Sequence, residues 1–335
     1  MLNLSLDNIS LDINFVRSQF PSFKDPLCKD WSFFENAGGS YVPKSVIDRL
    51  TNFMISTKVQ PYAEYPMSKI AGDQMDEAIP YLPNMRPNER TDLPGGVTRY
   101  TALMVKALAN QELENYQAVA DAAGQIISSG KFSLMSDYYE LFKTPGKLSD
   151  ENLFELQYSD FNSGTGDRVG HLYAPYGPNG WTPSVAGSAG GWGFFEPSMK
   201  YVKFMLDRGE TERLETTVLF TQKGIDSIIS STDYTAETLP DFVSPETRDG
   251  DVLLDNERAI FCSGKHYLPS NQLIPGRTEY GSNKNYIVYR YAETLLIYAE
   301  ALLHGATGSG MTADQAVNMV RGRAGLAPIS GVTLD

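Results

Sequence analysis

The sequence predicts a mainly α protein. Tetratricopeptide-like helical hairpins carry a long irregular, loop-rich region, and a small α/β-like segment precedes them. Three observations lead to this reading. Two pairs of segments repeat apolar residues every three or four positions, one just after residue 100 and one near the C-terminus. The stretch between them, roughly 143 to 285, is rich in Gly, Ser, Asn, Asp and aromatics and has little periodicity. The first 75 residues follow a different pattern of short elements and turns.

In chain order, Trp31 to Phe34 reads as a short strand entering the turn Glu35 to Ser40, where Gly38 and Gly39 permit close backbone approach. Pro43 opens a helix carrying Val46, Ile47, Leu50, Phe53 and Met54. Pro80 to Pro83 and the polar run to Gly96 form a loop. Tyr100, Leu103, Met104, Ala107 and Leu108 mark one helix. Leu113, Tyr116, Ala120, Ala123 and Ile127 mark the next, with Gly130 as its C-terminal cap. Alanines on this face let two helices approach closely. In the irregular region the periodic pieces are Phe195 to Leu206 and Glu212 to Phe220. The last hairpin begins with a stripe from Ile287 and Val288 through Tyr291, Leu295, Ala299 and Leu303. It turns through Gly305 to Gly310 and restarts at Thr312, an expected N-cap, running to Arg323. These stripes read as helix–helix core.

With 335 residues, 41% apolar and 21% charged, the chain is long enough for about two domains and a sizeable core. Its net charge of -13 and scattered Lys and Arg argue against nucleic acid as a partner and suit neutral or cationic ligands. Cys28 and Cys262 have no metal-ligand spacing, and a single disulfide between them stays open. No stretch approaches the length and apolarity of a membrane helix. The N-terminus lacks the basic and apolar regions of a signal peptide, and the residues before Cys28 do not form a lipobox.

The candidate ligand-binding residues are aromatic. Tyr173, Tyr176, Trp181, Trp192 and Phe195 lie in or beside the Gly-rich stretch 164 to 193. Asp167 and Asn179 supply hydrogen-bonding groups for hydroxyls. Loop aromatics mixed with amides and carboxylates suit a sugar, whose C–H faces stack on rings. The competing reading is that these rings pack down a region short of aliphatics. The carboxylate pairs Asp160/Asp167 and Asp249/Asp251 read as solvated turn residues, and His171, His266 and His304 as structural or exposed. Arg290 and Glu293, three apart on one helix, are spaced to pair on its surface, and a structural role for the pair is the favoured reading. Arg321 and Arg323 fit anion binding and helix-end charge complementarity equally well. No catalytic, cofactor-binding or metal-ligating residue is assigned, and the protein is not expected to be an enzyme.

Several motifs resemble the SusD/RagB family. They include Gly95 to Ala102, Ala122 to Leu134, Glu151 to Gln157, and Gly191-Trp192-Gly193 with Pro197-Ser198. Tyr289 to Ala301 and Val317 to Leu326 are closest to the family's signature. The resemblance covers about residues 76–335 and implies a non-catalytic domain that binds an oligosaccharide or other nutrient. It would deliver this to a SusC-like TonB-dependent transporter at the outer-membrane surface. The family's lipidated N-terminus and first repeats have no counterpart here, and members continue past the position of Asp335, so the expected domain is truncated at both ends. Residues 1–75 instead resemble the start of class V aminotransferases of the cysteine-desulfurase-like branch. The matching strings are Leu11 to Arg17, Gln19 to Pro21, Phe33 to Ser40 and Tyr65-Pro66. This implies a chimera joined near Met75 to Ala78. The alternatives it raises are a fragment of a pyridoxal-phosphate enzyme, or a fusion without function. That cofactor's lysine and acid lie beyond the matched segment in the resembled family, so no cofactor is expected.

Overall fold

The computed structural model describes residues 11–30, 41–158, 176–182, 191–273, 284–308 and 310–334. The chain divides into two compact units, 1–76 and 77–335.

The described part of the first unit is helical. Asp12 caps α1 (Ile13–Ser18) by accepting a hydrogen bond from the Phe15 amide at 2.9 Å. Pro43 caps α2 (Lys44–Asn52) one position earlier than expected, and α2 passes into a π-helical turn at Phe53–Thr57. Helix α3 spans Pro66–Ala78, and the division between the units falls within it. The predicted strand at Trp31 and the turn to Ser40 lie outside the described residues. The predicted apolar stripe of α2 is present but exposed, from Ile47 at 40% to Met54 at 65%.

The second unit is built on two helical hairpins, as expected. Helices α4 (Arg99–Glu112) and α5 (Tyr116–Ser128) form the first. They share one core with the second pair, named α9 and α10 below, through Leu103, Met104, Val119, Ala123 and Ile126. Leu113 caps the end of α4 instead of starting α5. Gly130, at φ +63°, takes the left-handed position just past α5 that only a residue without Cβ adopts cheaply. Three short helices follow: α6 (Met199–Asp207), α7 (Glu212–Thr217) and α8 (Gln222–Ser231). The C-terminal hairpin is α9 (Tyr291–Leu303) and α10 (Ala313–Arg323). Thr312 caps α10 as predicted, accepting from the Gln315 amide while the Gln315 side chain accepts from the Thr312 amide.

The small residues on α5 set its distance from α9. A Cβ built on Gly124 would lie 3.4 Å from the ring of Tyr298, which is fully buried. One methyl fits there, and alanine also favours helix. Gly124→Ala is therefore expected to be neutral or to stabilise by up to about 1 kcal/mol. Gly124→Leu forces the helices apart and costs about 1–3 kcal/mol. Thermal unfolding of the two variants checks this, and equal midpoints would show that α5 and α9 are not close-packed.

The strands pair over long sequence separations. Strand β1 (Asn152–Leu156) pairs antiparallel with β6 (Tyr286–Arg290). Ile287 and Val288, read as the start of a helix, therefore belong to a strand, and α9 begins only at Tyr291. Strand β2 (Trp181–Thr182) pairs with β4 (Val252–Leu253). Strand β3 (Val218–Phe220) pairs with β5 (Phe261–Ser263). Both faces of that last pair are covered. Val218, Phe220 and Phe261 face a core formed with α6, α7 and α8, while Leu219 and Cys262 face a second core with Trp181, Leu253, Tyr267 and Leu268. This explains the uninterrupted apolar run Val218-Leu219-Phe220. Both cysteines are free thiols.

Candidate functional site

The site is assembled from two glycine-containing segments that lie against each other. The Gly191 amide donates to the Pro178 carbonyl at 2.7 Å, and the Gly193 amide to the Gly177 carbonyl at 3.1 Å. A Cβ on Gly191 would sit 2.4 Å from the Gly177 oxygen, so only glycine permits this approach. Gly193 adds a left-handed bend at φ +61°. The Asn179 side-chain amide donates to the Gly191 carbonyl at 3.3 Å.

This bend displays aromatic rings in two groups. Trp192 and Phe194 lie 5.4 Å apart between centroids, 36% and 56% exposed. The Arg258 guanidinium lies 5.5 Å from the Phe194 centroid and donates to the Trp192 carbonyl at 3.0 Å. Phe195, 62% exposed, packs on Tyr176 with centroids 4.8 Å apart. Tyr176 in turn rests 5.0 Å from the His266 ring. The His266 Nδ1 is hydrogen-bonded to the Ser263 hydroxyl at 2.7 Å. Burial, with Lys284, Lys265 and Lys143 nearby, pushes this imidazole down to about 4, so it is neutral at pH 7.

Of the sequence candidates, Tyr176, Asn179, Trp192 and Phe195 are thus brought together. Trp181 is buried, edge-on to Tyr267 at 6.1 Å within the second core, and offers no open ring face. A short strand whose partner Leu253 also faces that core turns its ring inward. Tyr173 and Asp167 lie outside the described residues. Phe194 and Arg258 join the site from outside the candidate set, and His266, read from sequence as structural or exposed, backs Tyr176. Phe194 stands inside the aromatic run and was legible there. Nothing near Arg258 or His266 in sequence connects them to this bend.

Other expected pairings come out differently. Asp251 is buried instead of solvated, and it accepts hydrogen bonds from the Tyr267 hydroxyl and from the Ser270 amide at 2.8 Å. Asp249 accepts from the Tyr139 hydroxyl. Both carboxylates are therefore engaged with structural donors. Arg290 pairs with Glu151 at 2.9 Å, not with Glu293, because Glu151 is held at the start of β1, beside β6. Arg323 reaches the same carboxylate at 2.8 Å, and Arg321 donates to the Ala327 carbonyl beyond its helix. The three guanidiniums of Arg213, Arg290 and Arg323 line a surface pocket of about 460 Å³ with Tyr138 and Glu293. No helix among the described residues is long and apolar enough to cross a membrane.

Paired helical hairpins holding an irregular, aromatic-bearing segment define a helical-repeat scaffold in class. The SusD family model matches residues 150–333, more than half of the sequence, and the chain belongs to that family. Solved structures share the fold. Surface glycan-binding protein A from Bacteroides thetaiotaomicron, in complex with laminarihexaose, is 24% identical with a TM-score of 0.57. The match covers 86% of this chain and 62% of that one. A laminarin-binding SusD-like protein is 20% identical with a TM-score of 0.57, covering 79% and 54%. A structure with xylogluco-oligosaccharide is 18% identical with a TM-score of 0.56, covering 80% and 51%. The chain thus spans about half to three-fifths of the length of these proteins. A comparison with curated protein sequences finds no match. None of these comparisons supports the aminotransferase resemblance of the first 75 residues.

Proposed function

We propose that residues 76–335 bind an oligosaccharide and hand it to a SusC-like TonB-dependent transporter at the outer-membrane surface, without chemistry of their own. The observation that carries this is the exposed aromatic strip. Trp192, Phe194 and Phe195 crowd three large open rings into four residues, anchored by backbone hydrogen bonds on a glycine-only approach. Exposed rings at this density are costly in water and serve best against a ligand with apolar faces and a polar rim, which describes a pyranose. The strongly negative net charge favours an uncharged sugar. The family supports the transporter partner and the surface location. Three similar structures are of proteins described with laminarihexaose, laminarin and a xylogluco-oligosaccharide.

Isothermal titration with laminarihexaose and with a xylogluco-oligosaccharide tests the reading. At least one is expected to bind. Phe195→Ala and Trp192→Ala are each expected to weaken it about tenfold, the loss of roughly 1.4 kcal/mol of stacking. Unchanged affinity in both variants would remove the strip from the binding site.

A further inference from the structure

Behind the aromatic strip lies a feature that binding alone does not require. Lys143 is 1% exposed, yet its partner is a backbone carbonyl and not a carboxylate: Nζ donates to the Gly264 oxygen at 2.9 Å. Its ammonium also lies 4.1 Å from the Tyr139 ring centroid and 5.4 Å from that of Tyr267. One residue further along the same turn, the Lys265 carbonyl accepts from the Lys284 ammonium. Two lysines from distant parts of the chain therefore hold consecutive carbonyls of the tight 3-10 turn Gly264–His266. Gly264 is itself wedged against α7, where a Cβ would lie 2.3 Å from the Thr216 carbonyl oxygen. Burying the Lys143 head group without a carboxylate to receive it costs free energy, so stability by itself is a poor account of that residue.

The turn ends at His266, the ring on which Tyr176 rests, and Tyr176 carries Phe195. The Ser263 hydroxyl fixes the imidazole through Nδ1. A continuous line of contacts thus runs from the Lys143 and Lys284 head groups to the most exposed ring of the strip. We propose that Lys143 and Lys284 are positioning residues for the glycan platform, setting the turn Gly264–His266 so that His266 backs Tyr176 and holds Phe195 at the angle that meets the sugar. This rests on the platform reading above.

The test places 3-fluorotyrosine at position 176 and reads its ¹⁹F resonance in wild-type protein, Lys143→Met, His266→Ala and His266→Phe. Affinities for laminarihexaose and the xylogluco-oligosaccharide, and for Phe195→Ala, are measured in parallel. Lys143→Met keeps the length of the side chain while removing its charge and donor. It and His266→Ala are expected to move the resonance toward that of free fluorotyrosine and to weaken glycan binding fivefold or more. His266→Phe keeps a backing ring and is expected to stay within twofold of wild type. A purely structural lysine would lower the unfolding midpoint and leave the resonance in place. If Lys143→Met does not fold, His266→Ala against His266→Phe decides the matter by the same two readouts. An unmoved resonance in the folded variants overturns the proposal. So does a moved resonance with unchanged affinity in a protein where Phe195→Ala weakens binding. If Phe195→Ala has no effect, or neither glycan binds wild type, the platform reading falls and this inference with it.

Discussion

Glu151→Ala is expected to lower the free energy of unfolding by about 3–5 kcal/mol, the largest effect of any single substitution considered for this protein. Glu151 is fully buried and satisfies three donors: the Met135 amide at 2.8 Å, Arg290 at 2.9 Å and Arg323 at 2.8 Å. Its own carbonyl accepts from the Tyr291 amide at 2.8 Å, at the start of α9. One carboxylate therefore joins β1, the β6–α9 junction and the end of α10. Removing it leaves two guanidiniums beside one another without that ion pair and with Glu293 as the acid lining the same pocket, and the Arg323 side chain is only 7% exposed. Glu151→Gln keeps the shape but not the charge, and is expected to cost less than alanine while still destabilising. Urea denaturation followed by circular dichroism measures both. A loss under about 1 kcal/mol for the alanine variant would mean that the two arginines find other partners and that the hub is dispensable.

The second large effect is a loss of stability on mild acidification. His266 is neutral in the folded protein down to pH about 4, whereas an unfolded histidine titrates near 6.5. Between those values the unfolded chain binds the extra proton, so stability falls as the pH drops from about 6.5 to about 4. Each unit of separation is worth about 1.4 kcal/mol, so the full loss is about 3.5 kcal/mol. Below pH 4 this group contributes no further slope. Lys143, pushed down to about 7 from 10.5 by burial, acts with the same sign in a separate window, in which stability rises with pH between about 7 and 10.5. Unfolding free energies of wild type and His266→Phe at half-unit steps from pH 4 to 7 isolate the histidine. Parallel curves for the two proteins would show that His266 is solvated and titrates normally.

Much of the scaffold was legible because helical hairpins are coded locally. The stripes on α4, α5, α9 and α10 place their apolar residues toward one core, and Thr312 and Gly130 cap where their chemistry requires. The misreadings share one cause. Ile287 and Val288 fit a helix and a strand equally well at short range, and what decides between them is pairing with β1, more than a hundred residues away. Arg290 was matched to the acid three residues along. Its true partner is 139 residues away in sequence, brought close by that same strand pair. The candidate site was partly readable for a related reason. A cluster of aromatics among glycines marks an unusual segment, but it does not say which rings point outward. Trp181 and Trp192 look alike in sequence. One lies on a strand whose partner faces a core, and the other follows a glycine that no side chain could replace.

The sequence by itself determined the mainly helical class and the positions of the hairpins, because periodicity and capping depend on residues within a few turns of each other, and its motifs carried the resemblance to the family. The tertiary structure alone decided which aromatic rings are exposed, that His266, Lys143 and Lys284 are linked to them, and that Glu151 joins β1 to the C-terminal hairpin. Those outcomes depend on burial and on charge pairing between residues far apart in the chain. Such energies exist only once the backbone has brought the groups into contact and removed the water between them.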